Sequence, residues 1–190
     1  MIPFDSLADA LLQELSSTLR AVDSTQVDAL RQAILQARRV FVTGKGRSGL
    51  QMRAFAMRLM HLGLAVHVVD DVTTPAIAEG DLLLIGSGSG STPSLVEYAA
   101  RARAQKARVA LITAAPASPI ADHAAHVVHV LAPTPKLGAA TDGPTPRSIQ
   151  PMGTLFEQAL GLLLDLLVVQ LMDEMNINAA QMFARHANLE

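Results

Sequence analysis

The sequence predicts an α/β fold built on a five-stranded parallel sheet. Five short apolar runs, at 40–42, 66–69, 82–85, 109–113 and 127–131, are separated by stretches with other patterning. The runs are continuous rather than alternating, which is the mark of strands buried on both faces. Helical text lies between most of them, and that alternation gives a parallel sheet with helices on either side. In such a sheet ligands bind beyond the carboxyl ends of the strands, so the loops after Thr43, Val69, Ile85 and Thr113 are the ones to read for function.

The elements follow in order. Phe4, Leu7, Leu11, Leu12 and Leu15 recur at helical spacing, so 4–20 reads as an amphipathic helix. Asp23 or Ser24 caps a second helix with Val27, Leu30, Ile34 and Leu35 on its apolar side. The first strand runs to Gly44, and helical text resumes from 48 to 62. The third strand is entered through Gly80-Asp81 and left through a glycine-serine loop. Pro93 is tolerated in the first turn of the helix predicted at 93–106. Residues 132–149 hold four prolines and two glycines, an irregular segment of the kind reserved for functional or mobile loops. A long helix at 150–176 is apolar on nearly all sides and should be buried on several faces. The expected organisation is one domain over 1–190: N-terminal helices 4–37, an α/β core 39–131, the loop 132–149, and a C-terminal helix and tail 150–190.

Composition excludes several classes. Half of the 190 residues are hydrophobic, so most of the chain folds rather than staying disordered. Cysteine is absent, which removes disulfides, thiolate nucleophiles and cysteine-held metals. A net charge of −2, one Tyr and no Trp argue against a nucleic-acid surface. The N-terminus lacks a basic segment followed by an apolar core, so no signal peptide is expected. Glu157, Gln158, Asp165 and Gln170 interrupt the most apolar stretch, which therefore reads as a buried helix and not a membrane span. The expected location is the cytoplasm.

Two glycine loops carry the chemistry. GKGRSG at 44–49 fits G-x-G-x-x-G between a strand and a helix, and Asp70 and Asp71 end the next strand. Alone, that pattern reads as a dinucleotide site or simply a tight strand-to-helix turn. GSGSGST at 86–92 offers Ser87, Ser89, Ser91 and Thr92 beside the start of a helix. Hydroxyls, uncrowded amides and a helix N-terminus suit one compact phosphate, without lysine or metal. Two such loops on different strands point to a small ligand held between them.

Glu157 is an acid within the apolar LFEQALGLLLDLL, where desolvation would raise its pKa and fit it for general acid–base work. Asp165 lies roughly 12 Å further along the same helix, too far to serve the same carbon, and reads as structural. Arg47, inside the first loop, is a candidate to stabilise a developing oxyanion. His123, His126 and His129 invite a metal reading, but their segment passes from a turn into a strand, so no metal site is expected. His61 ends the helix that starts near Ser48, roughly 20 Å from that helix's N-terminus, and fits an interface or a helix-dipole role.

The second loop resembles the phosphosugar signature of sugar isomerase (SIS) domains. GKGRSGL, AMRLMHLG, TTPAI, GDLLL, PMGTLFEQ and RHANLE together resemble 6-phospho-3-hexuloisomerases, from about Val40 to Glu190. Lys45 departs from the pattern, standing where the family usually has a small residue. The resemblance implies a three-layer αβα sandwich of flavodoxin-like type that interconverts 3-hexulose 6-phosphate and fructose 6-phosphate in formaldehyde fixation by the ribulose monophosphate pathway. It implies no cofactor and no metal. The partners it implies are a sugar phosphate, further copies of the chain in a dimer or tetramer, and functional coupling to a hexulose phosphate synthase; nucleic acid and membrane are not expected. Ser48, Ser87, Ser89 and Thr92 would hold the phosphate, with Gly46, Gly88 and Gly90 supplying loop backbone. Glu157 would be the base, Arg47 an enediolate or sugar ligand, and His186 a proton shuttle in its own or a neighbouring subunit. The competing readings are another SIS isomerase, acting on arabinose 5-phosphate or sedoheptulose 7-phosphate, a non-catalytic phosphosugar sensor, and an NAD-binding protein.

Overall fold

The computed structural model describes residues 2–134 and 148–189. Five strands form one parallel sheet: β1 (Val40–Gly44), β2 (Val66–Val68), β3 (Leu82–Gly86), β4 (Arg108–Thr113) and β5 (His126–His129). Their order is β2-β1-β3-β4-β5, the flavodoxin-like arrangement. The helices are α1 (Phe4–Arg20), α2 (Ser24–Leu35), α3 (Gly46–His61), α4 (Pro93–Ala104), α5 (Thr154–Glu174) and α6 (Ala179–Phe183). Asp23 caps α2 by accepting from the Thr25 amide at 2.8 Å.

Strand side chains alternate between two cores, as the period of two requires. Val40, Val42, Leu82, Leu84, Ala110, Ile112 and Val128 face α1, α2, α3 and α5. Phe41, Leu83, Ile85, Val109 and Leu111 face α4 and the 3₁₀ turn Ala121–His123. The sheet is thus covered on both sides, heavily on one and lightly on the other. The 69–80 connection from β2 to β3 carries no helix.

Boundaries differ from the sequence reading by up to four residues, and the short α6 lies in what the sequence reading leaves as tail. α3 starts at Gly46, two residues early, because its positive φ of 58° turns the chain straight into the helix. β5 ends at His129 rather than Leu131. α5 starts at Thr154, since Pro151 and the left-handed Met152 (φ 57°) block a helix before it. Most of the 132–149 loop lies outside the described residues; only 132–134 and 148–149 fall within them.

α5 is long and apolar enough to cross a membrane by length and composition alone. Here it is a core helix. Leu155, Phe156, Ala159, Leu160, Leu163, Leu164, Leu167, Val168 and Leu171 form one buried stripe at helical spacing. The helix is apolar on nearly all sides, but one side stays exposed in a single chain: Leu162, Leu166 and Val169 are 42%, 55% and 62% exposed.

The entry to the sheet is fixed by a buried carboxylate. Asp81, fully buried ahead of β3, accepts from Arg39 Nη2 at 2.6 Å, Arg39 Nε at 3.1 Å, Arg38 Nε at 3.2 Å and the Ala78 amide at 2.9 Å. Arg38 and Arg39 immediately precede β1, so these bonds tie the two strand entries together. The backbone repeats the tie: Arg38 N–H donates to Gly80 O, and Leu82 N–H to Arg39 O. Burial raises the Asp81 pKa, but the bonds from Arg39, Ala78 and Arg38 outweigh it and hold the value at about 2.

Because the folded value lies below the unfolded one, Asp81 contributes stability above about pH 4 that is lost as pH falls toward 2, about 2 kcal/mol in all. Asp81→Ala, which strands two guanidinium groups, should cost about 3 kcal/mol and flatten that acid limb. Urea unfolding at pH 7 and pH 3 checks both.

Candidate active site at the sheet switch point

β1 and β3 are neighbours, while the chain leaves them toward opposite edges of the sheet. This is the switch point where a crevice opens. In the β1–β3 register Gly44 stands opposite Gly86, so both glycine loops begin side by side. The first loop is closed by contact between its ends: a Cβ on Gly49 would lie 2.6 Å from Gly44 O, and one on Gly44 2.9 Å from Gly86 O. In the second loop Gly90 has φ 59°, and a side chain there would run into Ser118.

A cleft of about 230 Å³ lies between the loops. Ser48, Ser87, Gly88, Ser89, Thr92 and Glu157 all line it, so six of the predicted site residues are brought together. Ser48 is buried in the first turn of α3. Thr92 is the N-cap of α4, yet its hydroxyl makes no capping bond. Gly153 is the N-cap of α5, and Glu157 lies in that helix's first turn. Three helix N-termini therefore converge on the cleft. Their aligned N–H dipoles, with the hydroxyls of Ser48, Ser87, Ser89 and Thr92, make a place for an anion. Leu95 and Phe156 form its apolar wall.

Glu157 does not sit buried within the apolar run, as its sequence context implied. It sits at the cleft edge, its side chain 20% exposed, where Arg47 Nε donates to its Oε2 at 2.6 Å. The helix starts later than predicted, and that moves the acid from the interior to the rim. Arg47 is itself mostly exposed and touches the site through this ion pair.

Gly46 and Gly90 are not among the residues lining the cleft. Gly46 is exposed, and Gly90 holds the second loop together: its N–H donates to Ser87 O and its carbonyl accepts from Ile120. His186 is not brought to the cleft within one chain. It stacks on His61 with ring centroids 5.4 Å apart, at the opposite end of α3. Phe183, Met172 and Val168 share that second hollow, of about 290 Å³. His61 is buried, and burial, Arg58 and His186 all depress its pKa.

Asp70 and Asp71, which a dinucleotide reading would aim at a ribose, are engaged elsewhere. Asp70 pairs with Lys45 and Tyr98, and Asp71 with Arg53. His126 and His129 are three apart on β5 and so point to opposite faces. Among the described residues no three His, Asp or Glu side chains are grouped to hold a metal.

Sequence reasoning noted Lys45 only as a departure from the family pattern and missed Thr134 and Glu14 altogether. Lys45 and Thr134 line the cleft, and among the described residues the buried Thr134 Oγ1 has no partner. Glu14 of α1 lies outside the cleft but fixes its approach. Its carboxylate accepts from Ser148 Oγ at 2.7 Å, the Ile149 amide at 2.8 Å and Gln150 Nε2 at 3.2 Å. This anchors the chain just before Met152, Gly153 and Phe156. No local pattern announces a contact across more than 130 residues.

A family model for the SIS domain matches residues 33–157. The chain belongs to the SIS domain family. It is 41% identical over 180 residues to a 3-hexulose-6-phosphate isomerase of Bacillus subtilis, covering 95% of each chain. It is 46% identical over 177 residues to one of Mycobacterium gastri, covering 93% of this chain and 86% of that one. A solved structure from Methanococcus jannaschii, for which 3-hexulose-6-phosphate isomerase function is inferred, superposes with a TM-score of 0.82 at 29% identity, over 97% of this chain and 99% of that one. Both glycine loops and Glu157 fall within the matched SIS domain; Thr134 does too, while Met172 and His186 lie beyond it.

Burial raises the Glu14 pKa, but the bonds from Ser148, Ile149 and Gln150 lower it further, so its net value lies below 4.5. Its contribution is complete above that pH and is lost as the carboxylate protonates. Glu14→Ala should cost about 1–2 kcal/mol, a fall in Tm of roughly 2–8 °C, with the difference from the parent shrinking in acid. Calorimetric scans at pH 7 and pH 4 measure it.

Proposed function

We propose that this chain is an isomerase that interconverts 3-hexulose 6-phosphate and fructose 6-phosphate through a 2,3-enediol. In that role it performs the second step of formaldehyde fixation in the ribulose monophosphate pathway, taking its substrate from a hexulose phosphate synthase. The observation that carries the reading is one cleft that joins an anion site to a carboxylate. The names of the relatives supply the sugar.

In this reading the phosphate rests on Ser48, Ser87, Ser89 and Thr92 at the helix N-termini. The carbon chain then runs along the apolar wall toward Glu157. Glu157 removes the proton from C2; the C2–H electrons form the C2=C3 bond, and the C3 carbonyl π pair moves onto O3 as the enediolate. A proton passes from the C2 hydroxyl to O3, and as the O2 pair forms the C2 carbonyl the double bond takes the proton back from Glu157 at C3. One carboxylate serves both carbons because they are adjacent. Arg47 orients that carboxylate and has further N–H donors for the enediolate oxygen. His186 enters this scheme only across a subunit boundary.

Self-association and a cytoplasmic location belong to the same proposal. What supports association is an exposed apolar band: Leu50, Met57 and Met60 on α3, with Leu162, Leu166 and Val169 on the adjoining α5.

The reaction is tested by coupling to a hexulose phosphate synthase and following fructose 6-phosphate as NADPH, through phosphoglucose isomerase and glucose 6-phosphate dehydrogenase. Turnover that survives EDTA is expected, and Glu157→Gln should lower kcat at least about 100-fold with little change in KM. A Glu157→Gln protein of near-parental activity would remove this residue from the base role. Leu166→Glu should shift light scattering toward a 20.1 kDa species; a parent already at that mass would defeat the oligomer.

A further inference from the structure

The isomerisation scheme leaves one cation of the cleft without a task. Lys45, the N-cap residue of α3, lines the cleft together with Ser48, Ser87, Ser89 and Thr92. Its ammonium donates to Asp70 Oδ2 at 2.8 Å and lies 5.3 Å from the centre of the Tyr98 ring. Tyr98 Oη donates to the other oxygen, Asp70 Oδ1, at 2.6 Å. Three segments meet in this group: the loop after β1, the end of β2, and α4.

The backbone at Asp70 is itself unusual. Its φ of 79° is left-handed, a conformation a non-glycine residue keeps only when its surroundings hold it. The bonds from Lys45 and Tyr98 are those surroundings, and they keep the carboxylate ionised, with its pKa lowered. Asp70 in turn raises the pKa of Lys45. The lysine is therefore charged and pre-oriented before any ligand arrives. A free lysine must surrender the freedom of its four-carbon stem on binding; a tethered one has already done so.

The cleft has two cations at its rim, and they differ in what they face. Arg47 is paired with Glu157, the acid of the proposed chemistry. Lys45 is paired with an acid outside the cleft lining and has three N–H donors, so a donor remains for an anion between the loops.

We propose that Lys45, positioned by Asp70 and Tyr98, is a direct ligand of the substrate's phosphate and raises the affinity of this cleft for phosphorylated sugars. The proposal rests on the sugar-phosphate reading above. Lys45 is a binding residue; Asp70 and Tyr98 are positioning residues that act through it.

The test compares the parent with Lys45→Met, Lys45→Arg, Asp70→Asn and Tyr98→Phe. Binding of fructose 6-phosphate and of inorganic phosphate is read by calorimetry, and KM and kcat by the coupled assay. Lys45→Met should weaken both ligands about tenfold and raise KM to match, with kcat within about twofold. Lys45→Arg should recover most of the loss. Asp70→Asn and Tyr98→Phe should each weaken binding about threefold, and should add nothing in the Lys45→Met background. Phosphate affinity unchanged in Lys45→Met, with only a lowered Tm, would reduce the group to a structural latch and overturn the proposal. Calorimetry needs no turnover. A parent that binds fructose 6-phosphate without isomerising it would refute the reaction, while the Lys45 comparison would still decide this proposal.

Discussion

The pairing of β1 with β3 is the constraint on which the rest of the structure depends. Asp81 clamps the entries of the two strands through Arg38 and Arg39, and the register it fixes runs five residues to Gly44 opposite Gly86. A slip of one residue would turn every strand side chain to the other core. It would also separate the two glycine loops. The buried carboxylate at one end of the sheet and the anion cleft at the other are thus two ends of one arrangement. The cost of burying Asp81 is offset by five N–H donors from Arg38, Arg39 and the Ala78 amide.

The cleft itself is an electrostatic device before it is a chemical one. Three helix N-termini and five lining hydroxyls favour negative charge, and the first loop adds Lys45 and Arg47 on its rim. Each of those cations has its own acid, Asp70 or Glu157. The site is therefore close to neutral in its charged side chains, and its preference for an anion comes from fixed dipoles and oriented donors. Such groups need no reorganisation when a ligand arrives. The sheet's unequal cover has a second consequence. Four helices crowd one face, and the outermost parts of α3 and α5 are left with an apolar band that a single chain does not bury.

Much of this was legible in the residues. Apolar runs marked all five strands: β1, β3 and β4 are buried on both faces and have no polar side to confuse the pattern, while the edge strands β2 and β5 are only partly buried and carry histidines. The second glycine loop announced its ligand class, since hydroxyls, glycines and a helix start are all local. Glu157 lines the cleft, but not as the buried acid its sequence context implied: Pro151 and Met152 delay α5, and the acid stands at the rim, paired with Arg47. His186 lay in the most family-like part of the tail, yet the tail folds back on His61 at the far end of α3. Glu14, Asp81 and Thr134 gave no sign, because what they do depends on partners distant in the chain.

The sequence by itself determined the five strands, the five longer helices and their order, and it marked the two glycine loops, since these follow from spacing, turn residues and helix caps within a few positions. Only the tertiary structure decided which chemistry-bearing groups share a cleft. That choice depends on strand order and register, which bring residues 48, 87, 92 and 157 to one point and leave 186 elsewhere. Strand order is set by which apolar faces pack together across the whole chain, and no local pattern carries that information.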